Sequence, residues 1–435
     1  MKRDLLKELL GWKGGSIRKP LILRGARQVG KSWLVRELGQ YFDHFIEINF
    51  EKDFRAKSIF TPDIHMPTMI ERIAIFARQK IVPGKTLLFL DEIQECENAL
   101  LTLRYFKEEF PELHVVAAGS LLDFVIEKLG MPVGRVQYMY LYPLSFGEFL
   151  TASGRRELRT YILEKNVDPI IHSEILELLR NYMWIGGMPA VVNSWINEKN
   201  PVECHNLQDE IIQSYQDDFE KYARKNQIPY VSKIFESIPL QLGNKFKYSN
   251  IDGEVPSAPL KNALYLLEKT GIIHVCYHTS GQHQPLGADK NLKRFKVFFF
   301  DIGLAQRVLG LNIKDWLLQP MTTRAMGCIA EQLVAQEVIA YAPVRKRAEL
   351  FYWHREAKSS NAEVDFLIVR DGLIVPIEVK SSLKGRMKSM RLYLDSHKNS
   401  QYGLKISEKP FAQQEWIKEI PLYAIESIKE KEFPE

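Results

Sequence analysis

One short segment near the start of the chain limits its fold more than any other feature. It spans Gly25 to Ser32 and reads G-x-x-x-x-G-K-S. An apolar run, Leu21–Leu23, precedes it and predicts a strand, and an amphipathic run from Lys31 to Tyr41 follows it and predicts a helix. Glycines in such a loop let successive backbone N–H groups point inward, where they bind phosphate oxygens. The segment therefore predicts a phosphate-binding loop at the end of a parallel strand, in a sheet covered by helices.

The loop also predicts its ligand. We expect Lys31 to place its charge on the β- and γ-phosphates of ATP and the Ser32 hydroxyl to bind Mg²⁺. The following helix adds the positive end of its dipole. An ordinary glycine-rich turn is the alternative, and the strand and helix on either side argue against it. The residues predicted to contact the nucleotide here are Gly25, Ala26, Arg27, Gln28, Val29, Gly30, Lys31, Ser32 and Trp33.

A second motif supports the first. The apolar run Thr86–Leu90 predicts a buried strand, and Asp91 and Glu92 follow it. Asp91 is placed to hold Mg²⁺ through a water, and Glu92 to polarise the water that attacks the γ-phosphate. A lone Asp-Glu pair is more often a solvated turn, but its position behind a phosphate-binding loop favours the catalytic interpretation. Ser120, after the predicted strand His114–Ala118, either senses the γ-phosphate or caps the next helix.

These motifs resemble those of a prokaryotic family of AAA-type (AAA+) ATPases that carry a C-terminal domain of unknown function. The resemblance implies an α/β multidomain fold: an AAA+ P-loop core with a parallel sheet, a helical and winged-helix-like middle, and a C-terminal restriction-endonuclease-like α/β domain. It implies no physiological task. The matching segments lie along nearly the whole chain: Gly25–Ser32, Leu88–Gln94, Ala118–Ser120, Gly134-Arg135, Leu141–Phe146, Glu148-Phe149, Gly186–Pro189 and Phe300–Leu304.

AAA+ ATPases often use an arginine to stabilise charge on the γ-phosphate, commonly from a neighbouring subunit of a homo-oligomer. Arg135 is the candidate, because it follows the loop Leu129–Val133 and precedes a predicted strand. A surface arginine paired with a carboxylate is the alternative.

The predicted elements divide the chain into four domains. Residues 1–155 form the ATPase domain, 156–227 a helical lid or linker, 228–320 a winged-helix-like domain and 321–435 the restriction-endonuclease-like domain. The winged-helix interpretation rests on two helical runs, Ile228–Leu242 and Ala258–Thr270, followed by an extended run, Ile272–His278. The last domain is predicted as a helix, Gly327–Tyr341, then three strands, a basic helix, Lys384–Ser396, and two short strands.

The C-terminal strands carry a second candidate site. Glu378 and Lys380 lie two apart on one predicted strand and so share a face, and Asp365 lies on the neighbouring strand. Asp with Glu-x-Lys is the pattern of restriction-endonuclease-like nucleases, in which two carboxylates hold Mg²⁺ and the lysine assists the attacking water. Glu331, on the preceding helix, is the candidate additional ligand. A mixed sheet with ordinary charged edges is the alternative. Basic residues that could contact a DNA backbone are Lys380, Lys384, Arg386, Lys388 and Arg391.

Composition sets only broad limits. The 435 residues carry a formal net charge of +5, which permits a nucleic-acid partner without arguing for one. No apolar run approaches the ~20 residues of a membrane span, and the four cysteines form no close pair, so we expect a cytoplasmic protein without membrane contact. Two hypotheses follow. The first is an ATPase that processes DNA, including branched DNA, with or without a metal-dependent nuclease activity. The second is a nucleotide-dependent regulator or scaffold, of toxin–antitoxin or phage-defence type, whose C-terminal domain binds protein and is not a nuclease.

Overall fold

A computed structural model describes residues 1–62, 65–129, 134–311, 324–355, 361–380 and 387–429, with the side chains of residues 324–326 left aside. The chain divides into two compact units. The first unit comprises Met1–Tyr142 together with Pro343–Arg347, and the second comprises Pro143–Ala342 together with Ala348–Glu435. Each unit contains one β-sheet.

The sheet of the first unit has five strands, all parallel, in the order β2-β3-β4-β1-β5. Every residue of β3 and β4 is buried, which explains why both strands are nearly continuous apolar runs in the sequence. This confirms the predicted parallel sheet. The strands are β1 (Leu21–Arg24), β2 (His44–Asn49), β3 (Thr86–Asp91), β4 (His114–Ala118) and β5 (Gln137–Tyr140).

One helix precedes the first strand of this unit, and the other helices follow strands along the chain. On α4, Leu100, Leu103 and Phe106 recur at helical spacing and pack with Leu88 and Val115 of the sheet. Outside this order, Val344 accepts a hydrogen bond of 2.9 Å from the backbone N–H of Tyr140, so a short segment from far along the chain joins this unit. The helices are α1 (Leu5–Gly14), α2 (Lys31–Gly39), α3 (Met66–Ala77), α4 (Glu97–Glu109) and α5 (Leu122–Leu129).

The second unit opens with helices, as predicted. Asp168 and Asn200 cap two of them by accepting backbone N–H bonds, and each is followed by proline at the first helical position. The turn predicted at Gly186–Pro189 separates α8 from α9. The helices are α6 (Phe146–Ala152), α7 (Arg156–Glu164), α8 (Pro169–Ile185), α9 (Pro189–Glu198), α10 (Pro201–Asp217), α11 (Phe219–Tyr222), α12 (Ile228–Ser237), α13 (Ser257–Thr270), α14 (Ile302–Val308), α15 (Arg324–Ala340) and α16 (Lys388–Ser396).

The second sheet has eight strands and mixed directions, in the order β12-β13-β11-β10-β9-β8-β6-β7. β6 pairs antiparallel with β7 and parallel with β8, so the hairpin of the predicted winged-helix-like segment lies in the same sheet as the strands predicted for the C-terminal domain. The boundaries at residues 155, 227 and 320 stay predictions. The strands are β6 (Ile273–His278), β7 (Asn291–Phe299), β8 (Leu350–Arg355), β9 (Ala362–Arg370), β10 (Leu373–Val379), β11 (Gly403–Ser407), β12 (Ala412–Gln414) and β13 (Ile417–Pro421).

One detail of the C-terminal region differs from the sequence prediction. Among the described residues, three strands rather than two follow α16, because β12 is a short, exposed Ala-Gln-Gln segment without the apolar alternation that marks a strand in sequence. The start of the predicted basic helix, with Lys384 and Arg386, lies outside the described residues. None of the described helices is both long and apolar enough to cross a membrane.

Candidate functional site

The phosphate-binding loop lies between β1 and α2, and its backbone requires glycine at two points. Gly25 has φ 148°, and a Cβ built on it would lie 2.1 Å from the carbonyl oxygen of Leu141. Gly30, the residue before α2, has φ 95°. Both values lie where side chains are disfavoured, so these two glycines allow the loop to curl at the N-terminus of α2. That helix terminus is a ready site for an anion.

Lys31 is buried at the base of this loop. It is 8% exposed, and its ammonium donates hydrogen bonds to the carbonyl oxygens of Gly25 at 3.0 Å and Ala26 at 2.8 Å. Burial lowers the pKa of Lys31 to about 8, against the opposing charges of Glu92 and Asp91. The lysine charge is thus held by carbonyl oxygens of the loop itself.

Asp91 ends β3 in a set of hydrogen bonds. Its carboxylate is 3.0 and 3.1 Å from the Ser32 hydroxyl, and it accepts a 3.0 Å bond from the amide of Asn49. Burial raises the pKa of Asp91, and the bonds from Ser32 and Asn49 oppose that rise. A serine hydroxyl beside a carboxylate offers the hard oxygen atoms that Mg²⁺ prefers, so these residues fit the predicted ion.

Glu92 has an unusual backbone and a defined partner. Its φ of 49° lies in the left-handed region, a strain that is often associated with functional sites. Its carboxylate accepts a 2.6 Å hydrogen bond from the Gln94 amide. The other side-chain atom of Gln94, Oε1, is buried and has no hydrogen-bond partner among the described residues, and a Cβ on Gly119 would lie 2.0 Å from it. Gln94 lies beside the end of β4 and fixes the position of the Glu92 carboxylate.

Three residues of this site were not predicted as such. Asn49 lies opposite Asp91 in the parallel pairing of β2 with β3, a relation that appears only once strand order is known. Gln94 lies in the predicted motif but was given no role. Arg3 is 6% exposed and donates to the carbonyl oxygens of Val29 at 2.8 Å and Tyr142 at 2.6 Å, and so ties the N-terminal segment to the loop. No sequence pattern marks Arg3.

The other residues predicted for the nucleotide site include Ser120, Arg27, Trp33 and Arg135. β4 lies between β1 and β3, so Ser120, two residues beyond it and just before α5, is at the same sheet edge as the loop and Asp91. The positive charge of Arg27 contributes to the lowered pKa of Lys31, and Trp33 is 38% exposed.

Arg135 forms a 3.1 Å ion pair with Glu108, and more than 40% of each side chain is exposed. Within this chain Arg135 is therefore a surface arginine, and its role towards a second subunit stays a prediction.

In the second unit, the predicted C-terminal residues do come together. β9 and β10 pair antiparallel with Phe366 opposite Ile377, which puts Asp365 opposite Glu378. The N–H of Val379 donates to Asp365 at 2.8 Å, and the ammonium of Lys380 contacts Glu378 at 2.5 Å. Lys388 and Arg391 lie on α16.

The structure adds a residue that the sequence did not suggest. Lys296, on β7, is 1% exposed, and its ammonium lies 2.6 Å from Glu363, 3.2 Å from Glu331 and 3.8 Å from Asp365. We call Glu331, Glu363, Asp365 and Glu378 the acidic cluster. Among the described residues, no group of three or more His, Cys, Asp or Glu is arranged to hold a metal ion.

Comparison with known families agrees with the geometry of the first unit. Residues 17–150 match the model of a family described as an AAA domain. Residues 176–315 match a domain of unknown function, DUF8612, and residues 326–425 match another, DUF4143. The chain thus contains a region that matches an AAA domain, followed by two regions that match families of unknown function. The expected resemblance to AAA-type ATPases is supported at this level, and neither match shows a restriction-endonuclease-like fold.

The chain is also weakly similar to several solved structures. No curated protein matches the chain. A solved Walker-type ATPase of Pyrococcus abyssi is 16% identical, over 71% of this chain and 95% of that one, with a TM-score of 0.45. The ORC1 protein of Aeropyrum pernix, solved in complex with DNA, is 14% identical, over 73% and 93% of the two chains, with a TM-score of 0.28. Likenesses this weak carry no argument.

Proposed function

We propose that this chain is an AAA-type ATPase that binds ATP with Mg²⁺ at Gly25–Ser32 and hydrolyses it to ADP and phosphate. One observation carries the proposal: the Ser32 hydroxyl lies 3.0 Å from the Asp91 carboxylate, beside a buried Lys31 and with Glu92 next in the chain. A positive charge on the phosphates, oxygen atoms that bind the metal ion and a carboxylate that can take a proton from water are what phosphoryl transfer to water requires.

Each residue then has a distinct task. Lys31 would exchange its carbonyl partners for the β- and γ-phosphate oxygens. Ser32 and Asp91 would hold Mg²⁺, directly and through a water, and the ion would neutralise charge on the phosphates. Glu92 would orient a water and accept its proton as the water oxygen bonds to the γ-phosphorus and the bond to the β–γ bridging oxygen breaks.

Lys31→Ala is the first test. The substitution removes the positive charge among the loop amides, so we expect ATP binding to weaken strongly and turnover to be lost. Lys85→Ala, which removes a lysine that is 64% exposed in the same unit, is the control and should behave as wild type. Unchanged nucleotide affinity together with unchanged turnover in Lys31→Ala would show that this loop is not the ATP site.

Glu92→Gln tests the chemical step. The amide keeps the shape but takes no proton, so we expect ATP to bind normally and hydrolysis to fall by ~10²-fold or more. Glu95→Gln makes the same change three residues on, at a side chain that is 48% exposed, and should leave both quantities unchanged. Wild-type turnover in Glu92→Gln would show that another residue positions the attacking water and accepts its proton.

For the second unit we propose that nucleotide binding and hydrolysis act on a macromolecular partner, with DNA as the first candidate. The succession α15, β8, β9, β10, α16 and β11, with Asp365 opposite Glu378, supports a restriction-endonuclease-like arrangement, and Lys388 and Arg391 could contact phosphates. The buried Lys296 favours the second candidate, a binding module without nuclease activity, whose partner would be a protein.

ATPase rates with linear, single-stranded and branched DNA separate these two candidates. Stimulation that falls steeply with added salt would support a DNA partner, because binding to phosphates releases counterions. The same rate with every DNA, and no salt-sensitive binding, would favour a protein partner.

A further inference from the structure

The acidic cluster is built around a cation that the chain itself supplies. Lys296, on β7, is buried, with carboxylate oxygens of Glu363 on β9 at 2.6 Å and of Glu331 on α15 at 3.2 Å. The ring of Tyr352 lies beneath its ammonium, at 5.5 Å, within the range of a cation–π contact. Lys296 is thus held on several sides at the place where sequence analysis put the metal.

The charges of the cluster support the same interpretation. Burial alone would lower the pKa of Lys296, but Glu331, Asp365 and Glu363 together raise it well above its ordinary value, so this lysine stays charged. Two lysines contact the carboxylates of the cluster: Lys296 contacts Glu331, Glu363 and Asp365, and Lys380 contacts Glu378.

We propose that the ammonium of Lys296 takes the place of a divalent cation in the acidic cluster. The C-terminal strands are then joined to α15 and β7 by an internal ion network, and they do not catalyse metal-dependent cleavage of DNA. This inference concerns the second unit and does not depend on the ATPase proposal.

A lysine suits this place for physical reasons. Its ammonium is a compact charge with three donors, and the structure brings three carboxylates to it. A divalent ion entering the same space would meet a buried like charge, which disfavours its binding. Removing the lysine alone would leave buried carboxylates unpaired, a costly change unless they take up protons or a metal.

Glu378 is 5% exposed, and its Oε2 has no hydrogen-bond partner among the described residues. A metal held between Glu378 and Asp365, beside rather than in place of Lys296, would satisfy this oxygen. Such a metal would depend on Asp365.

The first measurement uses the full wild-type chain without nucleotide. Mn²⁺ binding is followed by electron paramagnetic resonance and compared with that of Asp365→Asn, which keeps the shape but removes the charge. We expect the two proteins to bind Mn²⁺ equally. Binding that wild type shows and Asp365→Asn loses would overturn the proposal, as would Mn²⁺-dependent DNA cleavage lost in the same variant.

The second measurement uses Lys296→Met, which keeps the apolar stem and removes the charge. Vacating the position should let Mn²⁺ bind, and at about a hundred times its dissociation constant the ion should raise Tm by about 5 °C in the variant and not in wild type. Lys293→Met, at an exposed position of the same strand, is the control and should show no increase. An equal increase in wild type, or none in a folded Lys296→Met, would contradict the proposal. If the variant does not fold, the comparison with Asp365→Asn decides.

Discussion

The phosphate-binding loop shows how burial can tune a single charge. Lys31 donates hydrogen bonds to the carbonyl oxygens of Gly25 and Ala26. The loss of hydration on burial disfavours its charged form more than the nearby charges of Glu92 and Asp91 favour it. Its pKa is therefore lowered to about 8, which brings a lysine that is normally charged into a range where it can titrate. A phosphate in contact with Lys31 would favour the charged form again.

This sets the expected pH dependence of ATP binding. As pH rises through about 8, free protein loses the Lys31 proton, while the ATP complex keeps it, so binding must take up a proton. The dissociation constant should then rise by up to about tenfold per pH unit above this value and stay flat below it. Isothermal titration between pH ~7 and ~9.5 measures the change, with Lys31→Ala as a control that lacks it. A constant affinity over this range would show that Lys31 keeps its charge in the free protein.

At the scale of elements, the turn between α8 and α9 is fixed by backbone contacts within the second unit. The N–H of Gly187 donates to Asp301 at 2.6 Å, and its carbonyl accepts from Leu144 at 2.7 Å. Burial raises the pKa of Asp301 to about 6, and the hydrogen bonds that its carboxylate accepts from backbone N–H groups oppose the rise. Three segments of the chain therefore contribute residues to one junction. They are Leu141–Phe146, Gly186–Pro189 and Phe300–Leu304, which are among the segments whose sequence resembles the AAA-type family.

Gly187→Ala tests how tightly that junction is packed. A Cβ there would lie 2.2 Å from the carbonyl oxygen of Leu144, which is backbone and cannot turn away. We expect the free energy of unfolding to fall by about 1–3 kcal/mol, the usual cost of overpacking. Gly253→Ala is the matched control, because its Cβ would meet no atom within 4 Å. Equal stability of the two variants in urea unfolding would mean that the turn can shift.

At the scale of the molecule, buried acids connect distant parts of the second unit. Glu337 on α15 is 2% exposed and accepts bonds from the N–H of Phe146 at 2.9 Å and the hydroxyl of Tyr182 at 3.1 Å. Burial raises the pKa of Glu337 from 4.5 to about 8, against the bonds that favour its charged form. The folded chain therefore binds a proton here that the unfolded chain has released.

Stability should consequently depend on pH through Glu337. Because the folded state holds more protons between pH about 4.5 and about 8, this group's contribution is complete below that range and is lost as pH rises through it, by up to about 1.4 kcal/mol per unit. Glu337→Gln keeps an acceptor for Phe146 and should gain stability relative to wild type as pH rises. Urea unfolding at several pH values measures this, with the exposed Glu210→Gln as control. A difference between Glu337→Gln and wild type that does not vary with pH would contradict the assignment.

The sequence alone determined those features that depend on neighbouring residues. The phosphate-binding loop, the strand before it and the helix after it form one contiguous segment, so glycine spacing and apolar pattern were enough to predict them. The same holds for β3 with Asp91 and Glu92, and for Glu378 and Lys380, whose spacing of two residues predicts a shared face.

Tertiary structure decided what depends on strand order and on long-range packing. Asn49 reaches Asp91 only because β2 lies beside β3, and the hairpin of β6 and β7 extends the C-terminal sheet only because β6 pairs with β8. Lys296 and the exposed Lys293 lie in the same strand, and the sequence does not show which carboxylates either lysine meets. It enters the acidic cluster because folding brings β7, α15 and β9 around one point, and burial there requires that the carboxylates meet a cation.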